Sequence, residues 1–174
     1  MTKNEKFMDI ALKSAEAALS SGEFPVGCVI ADSEQVISSG TRTGSFGPGA
    51  NEIAHAEITA LKRLSETAGA GKISDLTLYS TLEPCLMCFG AAIISGIHRI
   101  VFAYEDVMGG GTACDCGVLP CIYRDREIFV TAGVRRQESL RLFKKFFENP
   151  QNDYLRGTLL CEHTLKQERP LKNE

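Results

Sequence analysis

The chain has 174 residues, 44% hydrophobic and 24% charged, with a formal net charge of −3. These are ordinary values for one soluble globular domain with a core large enough to hold itself together. The mild acidity excludes a bulk attraction to nucleic acid, leaving only a local patch as a route to it. No apolar run approaches the ~20 residues that span a bilayer. The start, Met-Thr-Lys-Asn-Glu-Lys, lacks the apolar stretch of a secretory signal, so the expected compartment is the cytoplasm. Seven cysteines, an odd number, argue against a disulfide framework.

In chain order, Met8, Leu12, Ala15 and Leu19 recur at helical spacing, and Gly22 supplies a stop. Residues 26–31 and 35–40 read as two strands around the turn Asp32-Ser33-Glu34. Residues 41–50, rich in Gly, Ser and Pro, read as a loop placed to contact a ligand. A helix is predicted from Asn51 or Glu52 to about Glu66, then a strand over 76–80. Pro84 sits where a helix's first turn tolerates proline, and that helix runs to Ser95 before Gly96. Strands at 100–103 and 128–131 follow, and Leu140, Phe143 and Phe147 mark a late amphipathic helix. From about Asn149 the chain is more polar, shows no second core, and is expected to pack on the surface and fray near Lys172. The expected organisation is one domain over 1–149 with a tail over 150–174. Strands alternating with helices predict a layered α/β domain.

One constellation carries chemistry. His55-Ala56-Glu57 supplies an imidazole and a carboxylate, and Pro84-Cys85-Leu86-Met87-Cys88 supplies two thiols. Cysteines three apart share one helical face and can reach one ion. Thiolates with imidazole suit Zn²⁺ rather than Mg²⁺ or Ca²⁺. Three protein ligands leave the fourth tetrahedral position open for water, as catalytic zinc requires. Zinc lowers the pKa of water from ~15.7 towards ~7. Glu57 is then free to move protons to a ring nitrogen and to a leaving amine. Cys-x-x-Cys alone would more often be a structural or redox pair; His-x-Glu and the preceding proline complete the zinc deaminase signature.

With Phe24-Pro25-Val26-Gly27, Thr81-Leu82-Glu83 leading into Pro84, and Arg99-Ile100-Val101-Phe102, the chain resembles the cytidine deaminase superfamily. It looks closest to the branch of tRNA-specific adenosine deaminases and bacterial guanine deaminases. The resemblance covers most of residues 5–147. It implies a three-layer α/β/α sandwich around a five-stranded mixed sheet, and one Zn²⁺ held by His55, Cys85 and Cys88. It further implies Glu57 as proton shuttle, backbone near Ala56 and Glu83 contacting the base, and a homodimer with the active site near the subunit interface.

Departures from the pattern bear on substrate. Where purine-binding members commonly carry Asn, this chain has Thr41-Arg42-Thr43. Arginine cannot accept a hydrogen bond; Arg42 either faces a phosphate or carboxylate or points into solvent, the latter slightly favoured. Asn51-Glu52-Ile53-Ala54 replaces the usual Asp-Pro-Thr lead-in. Tyr104-Glu105-Asp106-Val107-Met108 and Gly109 to Gly111 replace the Lys-Thr-Gly stretch of the tRNA enzymes. Asp106 aligns with a family aspartate near the substrate. Tyr104 either stacks on a base or packs at an edge, and Phe24 also belongs to the expected substrate pocket. The glycines lack a P-loop ending and read as a flexible active-site loop.

Cys114, Cys116 and Cys121 match no common zinc spacing and read as small buried or loop cysteines. His98 is expected at the surface or a helix end, and neither it nor His163 is assigned to a metal. Residues 124–145 carry seven basic side chains against three acidic ones. A nucleic-acid footprint is one reading and a solvated helix face the commoner one.

The favoured function is a zinc-dependent hydrolytic deaminase of an amino-substituted nucleobase or nucleoside, with a purine favoured. A second reading takes tRNA as substrate and inosine at the wobble position as product. Glu148-Asn149-Pro150 after Phe146-Phe147 weakens it, because the tRNA enzymes usually add basic residues there. A third reading is a zinc-stabilised interaction module without catalysis, which requires a closed four-ligand site.

Overall fold

The computed structural model describes residues 1–67 and 73–168. The expected fraying near Lys172 lies outside the described residues.

Helix α1 spans Lys3–Ser20 and opens with a capping box, the Thr2 hydroxyl and the Glu5 carboxylate each taking the other's backbone N–H. Phe7, Met8, Ala11, Leu12, Ala15 and Ala18 line one face and are buried on the sheet. Strands β1 (Gly27–Ala31) and β2 (Val36–Thr41) form an antiparallel hairpin, followed by α2 (Ala56–Glu66), β3 (Thr77–Leu82), α3 (Leu86–Ile94) and β4 (Arg99–Tyr104). A short α4 (Cys121–Arg124), strand β5 (Phe129–Thr131), α5 (Arg136–Glu148) and α6 (Leu159–Lys166) complete the order.

The strands run β2-β1-β3-β4-β5 across one sheet. β1 is antiparallel to both neighbours, whereas β3, β4 and β5 are mutually parallel, so the sheet is mixed. Period-two alternation splits the core into two layers. Val29, Ala31, Tyr79, Val101 and Ala103 pack with α1. Cys28, Ile30, Leu78 and Ile100 face the other way, onto Ala60, Leu61 and Leu64 of α2 and Phe89, Ala92 and Ile93 of α3. This is the expected three-layer sandwich. β1 and β3 are buried along their whole length, as strands covered on both faces must be.

Two expectations shift at the helix starts. α2 begins at Ala56, not at Asn51 or Glu52, with His55 as N-cap in extended conformation. α3 begins at Leu86, with Cys85 as N-cap. Pro84 therefore stands outside the first turn, before the cap. The polar stretch after Asn149 also forms an element: Thr158 caps α6 by accepting from the Cys161 amide, and Leu160, Cys161 and Thr164 are buried. Its apolar residues were too few to show a helical period, which is why no helix was expected there. α6 packs on α5, which lies against β4 and α1. Among the described residues, no helix is long and apolar enough to cross a membrane.

Candidate active site

The parallel pair β3/β4 ends at Leu82 and Tyr104. Loops leaving the carboxyl ends of parallel strands are where α/β proteins bind ligands, and the N-termini of α2 and α3 converge at that edge. Glycine makes part of this possible. A Cβ on Gly40 of β2 would lie 2.0 Å from the Ala56 carbonyl oxygen, so only glycine lets the first turn of α2 lie this close to the sheet.

That approach brings His55, Cys85 and Cys88 together, with one ligand atom from each inside a cluster 4.8 Å across. His55 Nδ1 is 3.6 Å from Cys85 Sγ and 3.5 Å from Cys88 Sγ. Tetrahedral zinc, with Zn–N near 2.05 Å and Zn–S near 2.3 Å, separates nitrogen from sulfur by about 3.6 Å. The spacing fits zinc. Hydrogen bonding between the thiols, then His55, lowers Cys85 to about 4. The bond to Cys85 and burial raise Cys88, and the Cys85 bond raises His55. One thiolate thus forms readily, and a dication is what allows the second.

Glu57 lies in the first turn of α2 and is 3% exposed. Burial raises its pKa, opposed by the Ser80 hydroxyl, which donates to Oε1 at 2.7 Å. Cys88 Sγ lies 3.6 Å from Oε2. A carboxylate raised towards neutrality beside three residues that would hold a metal is suited to proton transfer.

A cavity of about 210 Å³ opens over this cluster. Phe24, Arg42, Ala56, Glu83 and Asp106, all expected near substrate, line it together with His55, Glu57 and Cys85. Tyr104 does not. It is fully buried, stacked on Phe143 at 5.5 Å and bonded to the Thr164 hydroxyl at 3.2 Å, so it packs in the core beneath α6 and cannot stack on a base. Arg42 is not in solvent either: it is 2% exposed. Its Nη1 donates to the Asn51 carbonyl at 2.7 Å, and its Nη2 to the Tyr154 hydroxyl at 3.2 Å and Glu52 at 3.3 Å.

The glycine loop is not loose. Glu83 accepts from the Asp106 amide and from the Thr112 amide and hydroxyl. Gly111 N–H donates to the Pro84 carbonyl at 2.9 Å, and a Cβ on Gly110 would strike Glu83 at 2.5 Å. Asp106 turns inward to accept the Met108 and Gly109 amides. These contacts clamp the loop against the start of α3.

Sequence reasoning missed part of the wall. Tyr154, Leu155 and Leu160, from the tail, close one side of the cavity, and Glu52 joins them. An aromatic and a Leu pair behind the helix cap Thr158 were the available signals. Elsewhere, Cys114 and Cys121 are exposed and Cys116 half-buried, so none is a buried cysteine. Among the described residues, the only group of His, Cys or acidic side chains placed to hold a metal is the one above. His98 is half-buried, its Nε2 shut from water without a protein partner, rather than a surface group. His163 bonds Glu105 at 3.3 Å.

The sequence pattern of the cytidine and deoxycytidylate deaminase zinc-binding region matches residues 1–104. The chain belongs to that family. It is 31% identical over 147 residues to the tRNA-specific adenosine deaminase of Bacillus subtilis, covering 84% of this chain and 90% of that one. It is likewise 31% identical to the tRNA-specific adenosine deaminase of Agrobacterium fabrum over 159 residues, covering 88% and 99%. Among solved structures, the guanine deaminase of Nitrosomonas europaea superposes with a TM-score of 0.65 at 26% identity, over 82% of this chain and 83% of the other. A structure from work on tRNA:A34 deaminases superposes at 0.63 with 28% identity, covering 76% and 100%. The protein is therefore a zinc-dependent deaminase of the tRNA adenosine and guanine deaminase branch.

Proposed function

We propose that this deaminase acts on a small, free amino-substituted nucleobase or nucleoside, purine-like in ring size, releasing ammonia and leaving a carbonyl. The observation that carries the reading is the shape of the site. Glu57 lies buried in a cavity of about 210 Å³ walled on one side by the chain's own tail, below the ~300–1,000 Å³ of drug-sized sites. Such a space takes a single heterocycle; a flipped base of a polymer would also fit it, so the wall formed by the tail is what favours a free ring.

His55, Cys85 and Cys88 would hold one zinc per chain, which when bound would supply a Lewis acid that acidifies water. Glu57 takes a proton from the attacking water and gives it to the ring nitrogen beside the amino-bearing carbon. It then carries the second water proton to the exocyclic amine, which leaves as ammonia as the carbon–nitrogen bond breaks. Ser80 holds the carboxylate in place through Oε1. Phe24, Leu160 and Tyr154 line the cavity with apolar and aromatic surface that would exclude water from a bound ring, and Ala56 and Glu83 line it as well.

The second reading, inosine formation in tRNA, draws on the Bacillus and Agrobacterium relatives. Against it, four of the seven basic residues of the late segment are already engaged within the chain. Arg124 pairs with Asp125, Arg135 with Asp9 and Glu5, and Arg136 with Glu105, while Lys144 is buried against the Leu165 carbonyl. The third reading, a zinc module without catalysis, finds no fourth ligand in the cluster among the described residues. A homodimer is part of the proposal: Leu86 and Ile94 of α3 and Ile122 of the adjoining α4 are exposed apolar side chains, and light scattering reads the outcome.

The test is ammonia release by the zinc-loaded protein across purines, pyrimidines, their nucleosides and a tRNA transcript. Turnover of a free base or nucleoside is expected. Turnover of the transcript alone, with binding that weakens steeply as salt rises, would replace this reading with the second.

A further inference from the structure

Of the three residues that would hold zinc, Cys88 lies inside α3, whereas Cys85 stands before it as an extended N-cap with φ −66° and ψ 169°. The helix holds Cys85 only through its carbonyl, which accepts from the Phe89 amide at 2.8 Å. Pro84, on the other side, has no N–H to give. The loop after β4 supplies the missing hold. Gly110 pairs with Cys85 in an antiparallel bridge, and the Gly111 N–H donates to the Pro84 carbonyl at 2.9 Å. Neither residue is among the glycines with positive φ, so closeness rather than turn geometry calls for glycine here. A Cβ on Gly111 would lie 2.6 Å from the Leu86 nitrogen and 2.9 Å from the Cys85 carbonyl carbon. A backbone strap thus lies directly on the peptide that carries Cys85.

One carboxylate fastens the strap. Glu83 Oε2 accepts from the Asp106 amide at 3.2 Å, and Oε1 accepts from the Thr112 amide at 3.3 Å and the Thr112 hydroxyl at 2.5 Å. Asp106 and Thr112 stand on either side of Gly109 to Gly111, so Glu83 draws both ends of the strap to a point two residues before Cys85. Hydrogen bonds to a charged acceptor are the stronger kind. The Glu83 N–H donates to the Tyr104 carbonyl at 2.7 Å, which roots the fastening in β4. A Cβ on Gly110 would lie 2.5 Å from the Glu83 carboxylate. Although Glu83 borders the cavity, its side chain is spent on the strap.

We infer that Thr112 and Glu83 are positioning residues for the metal ligand Cys85: acting through the Gly110–Gly111 strap, their hydrogen bond sets where the Cys85 sulfur stands relative to His55 and Cys88. A well-formed zinc site keeps its ligand distances within about 0.2 Å of the usual values, so a small shift of the Cys85 peptide is felt at the metal. Residues that orient a ligand without touching the metal change its affinity by about 10–100-fold when lost. The inference concerns the metal ligand, not the ring, and stands whichever heterocycle the cavity takes.

The experiment measures zinc affinity by competition with a chelator, and the thiolate-to-metal absorption of the Co²⁺-substituted protein, for the unaltered chain, Thr112→Val and Thr112→Ser. Valine keeps the shape and the backbone amide but removes the hydroxyl; serine keeps the hydroxyl. Thr112→Val is expected to hold zinc about 10-fold more weakly and to shift the Co²⁺ bands. Thr112→Ser should stay within about 3-fold of the unaltered protein, because its hydroxyl still donates to Glu83. Gly111→Ala, which forces the strap off Leu86, should weaken zinc further, towards ~100-fold; if that variant does not fold, the two Thr112 variants decide. The inference is overturned if Thr112→Val leaves either the zinc affinity or the Co²⁺ spectrum unchanged, or if Thr112→Ser is as weak as Thr112→Val. A lower melting temperature of zinc-free Thr112→Val, with zinc affinity unchanged, likewise overturns it and reduces the pair to a fold contact.

Discussion

Ser80, in the middle of β3, donates its hydroxyl to Glu57 Oε1 at 2.7 Å, and both residues are buried. A strand side chain thus fixes the rotamer of the carboxylate on which proton transfer depends. A buried hydrogen bond to a charged group is worth about 1.5–3 kcal/mol. Ser80→Ala should therefore lower kcat by roughly 10-fold or more, 1.4 kcal/mol being a factor of ten, while zinc content and fold are retained. Steady-state kinetics with metal analysis reads this, and an unchanged kcat would show that Glu57 is positioned by something else.

Gly40 sets how closely α2 approaches the sheet, since a Cβ there would lie 2.0 Å from the Ala56 carbonyl oxygen. Gly40→Ala must push the His55–Glu57 turn outward. Overpacking of this kind costs about 1–3 kcal/mol, and His55 moves with the turn. The expected result is a lower melting temperature together with zinc substoichiometry. Full zinc occupancy at unchanged stability would mean the helix start is not set by this contact.

Leu160 joins the tail to both core and cavity, being 1% exposed and part of the cavity wall. Leu160→Ala should cost roughly 2–5 kcal/mol, as large-to-small core changes do, and should raise KM more than it lowers kcat because the wall recedes from the ring. Denaturant melts and kinetics measured on one preparation test both halves.

Acid should loosen the tail through Glu105. Burial raises this carboxyl, but the hydrogen bonds from Arg136 and His163 outweigh burial and hold it below its ordinary value. A folded-state pKa below the unfolded value, about 4.3 for glutamate, means the contribution is present above that pH and lost as pH falls through the folded value. Thermal melts from pH 6 to pH 3 should show a steeper decline for the unaltered protein than for Glu105→Gln. Parallel declines would remove Glu105 as the acid-labile tie between β4, α5 and α6.

The chemistry was legible because it is local in sequence. His-x-Glu and Cys-x-x-Cys each span about one helical turn or less, and Pro84 with the apolar spacing after it marks the start of α3 to within two residues. The strands and their alternation with helices were legible for the same reason. What was not legible depends on contacts between distant residues. Arg42 meets Tyr154 across 112 positions, and nothing near Arg42 in the sequence marks it as buried. Tyr104 reads equally as a stacking or a core aromatic until α6 is seen to cover it. The cavity wall escaped notice because a short, polar-flanked helix buries only three side chains and leaves no apolar period to read.

The most direct measurement of the central claim pairs zinc stoichiometry with ammonia release for the unaltered protein and Glu57→Gln, using whichever ring the substrate panel identifies. The account predicts one zinc per chain in both proteins and a loss of turnover of about 10²–10⁴-fold or more in the variant, the scale of general acid–base catalysis. A variant that binds zinc and releases ammonia at the unaltered rate would contradict it.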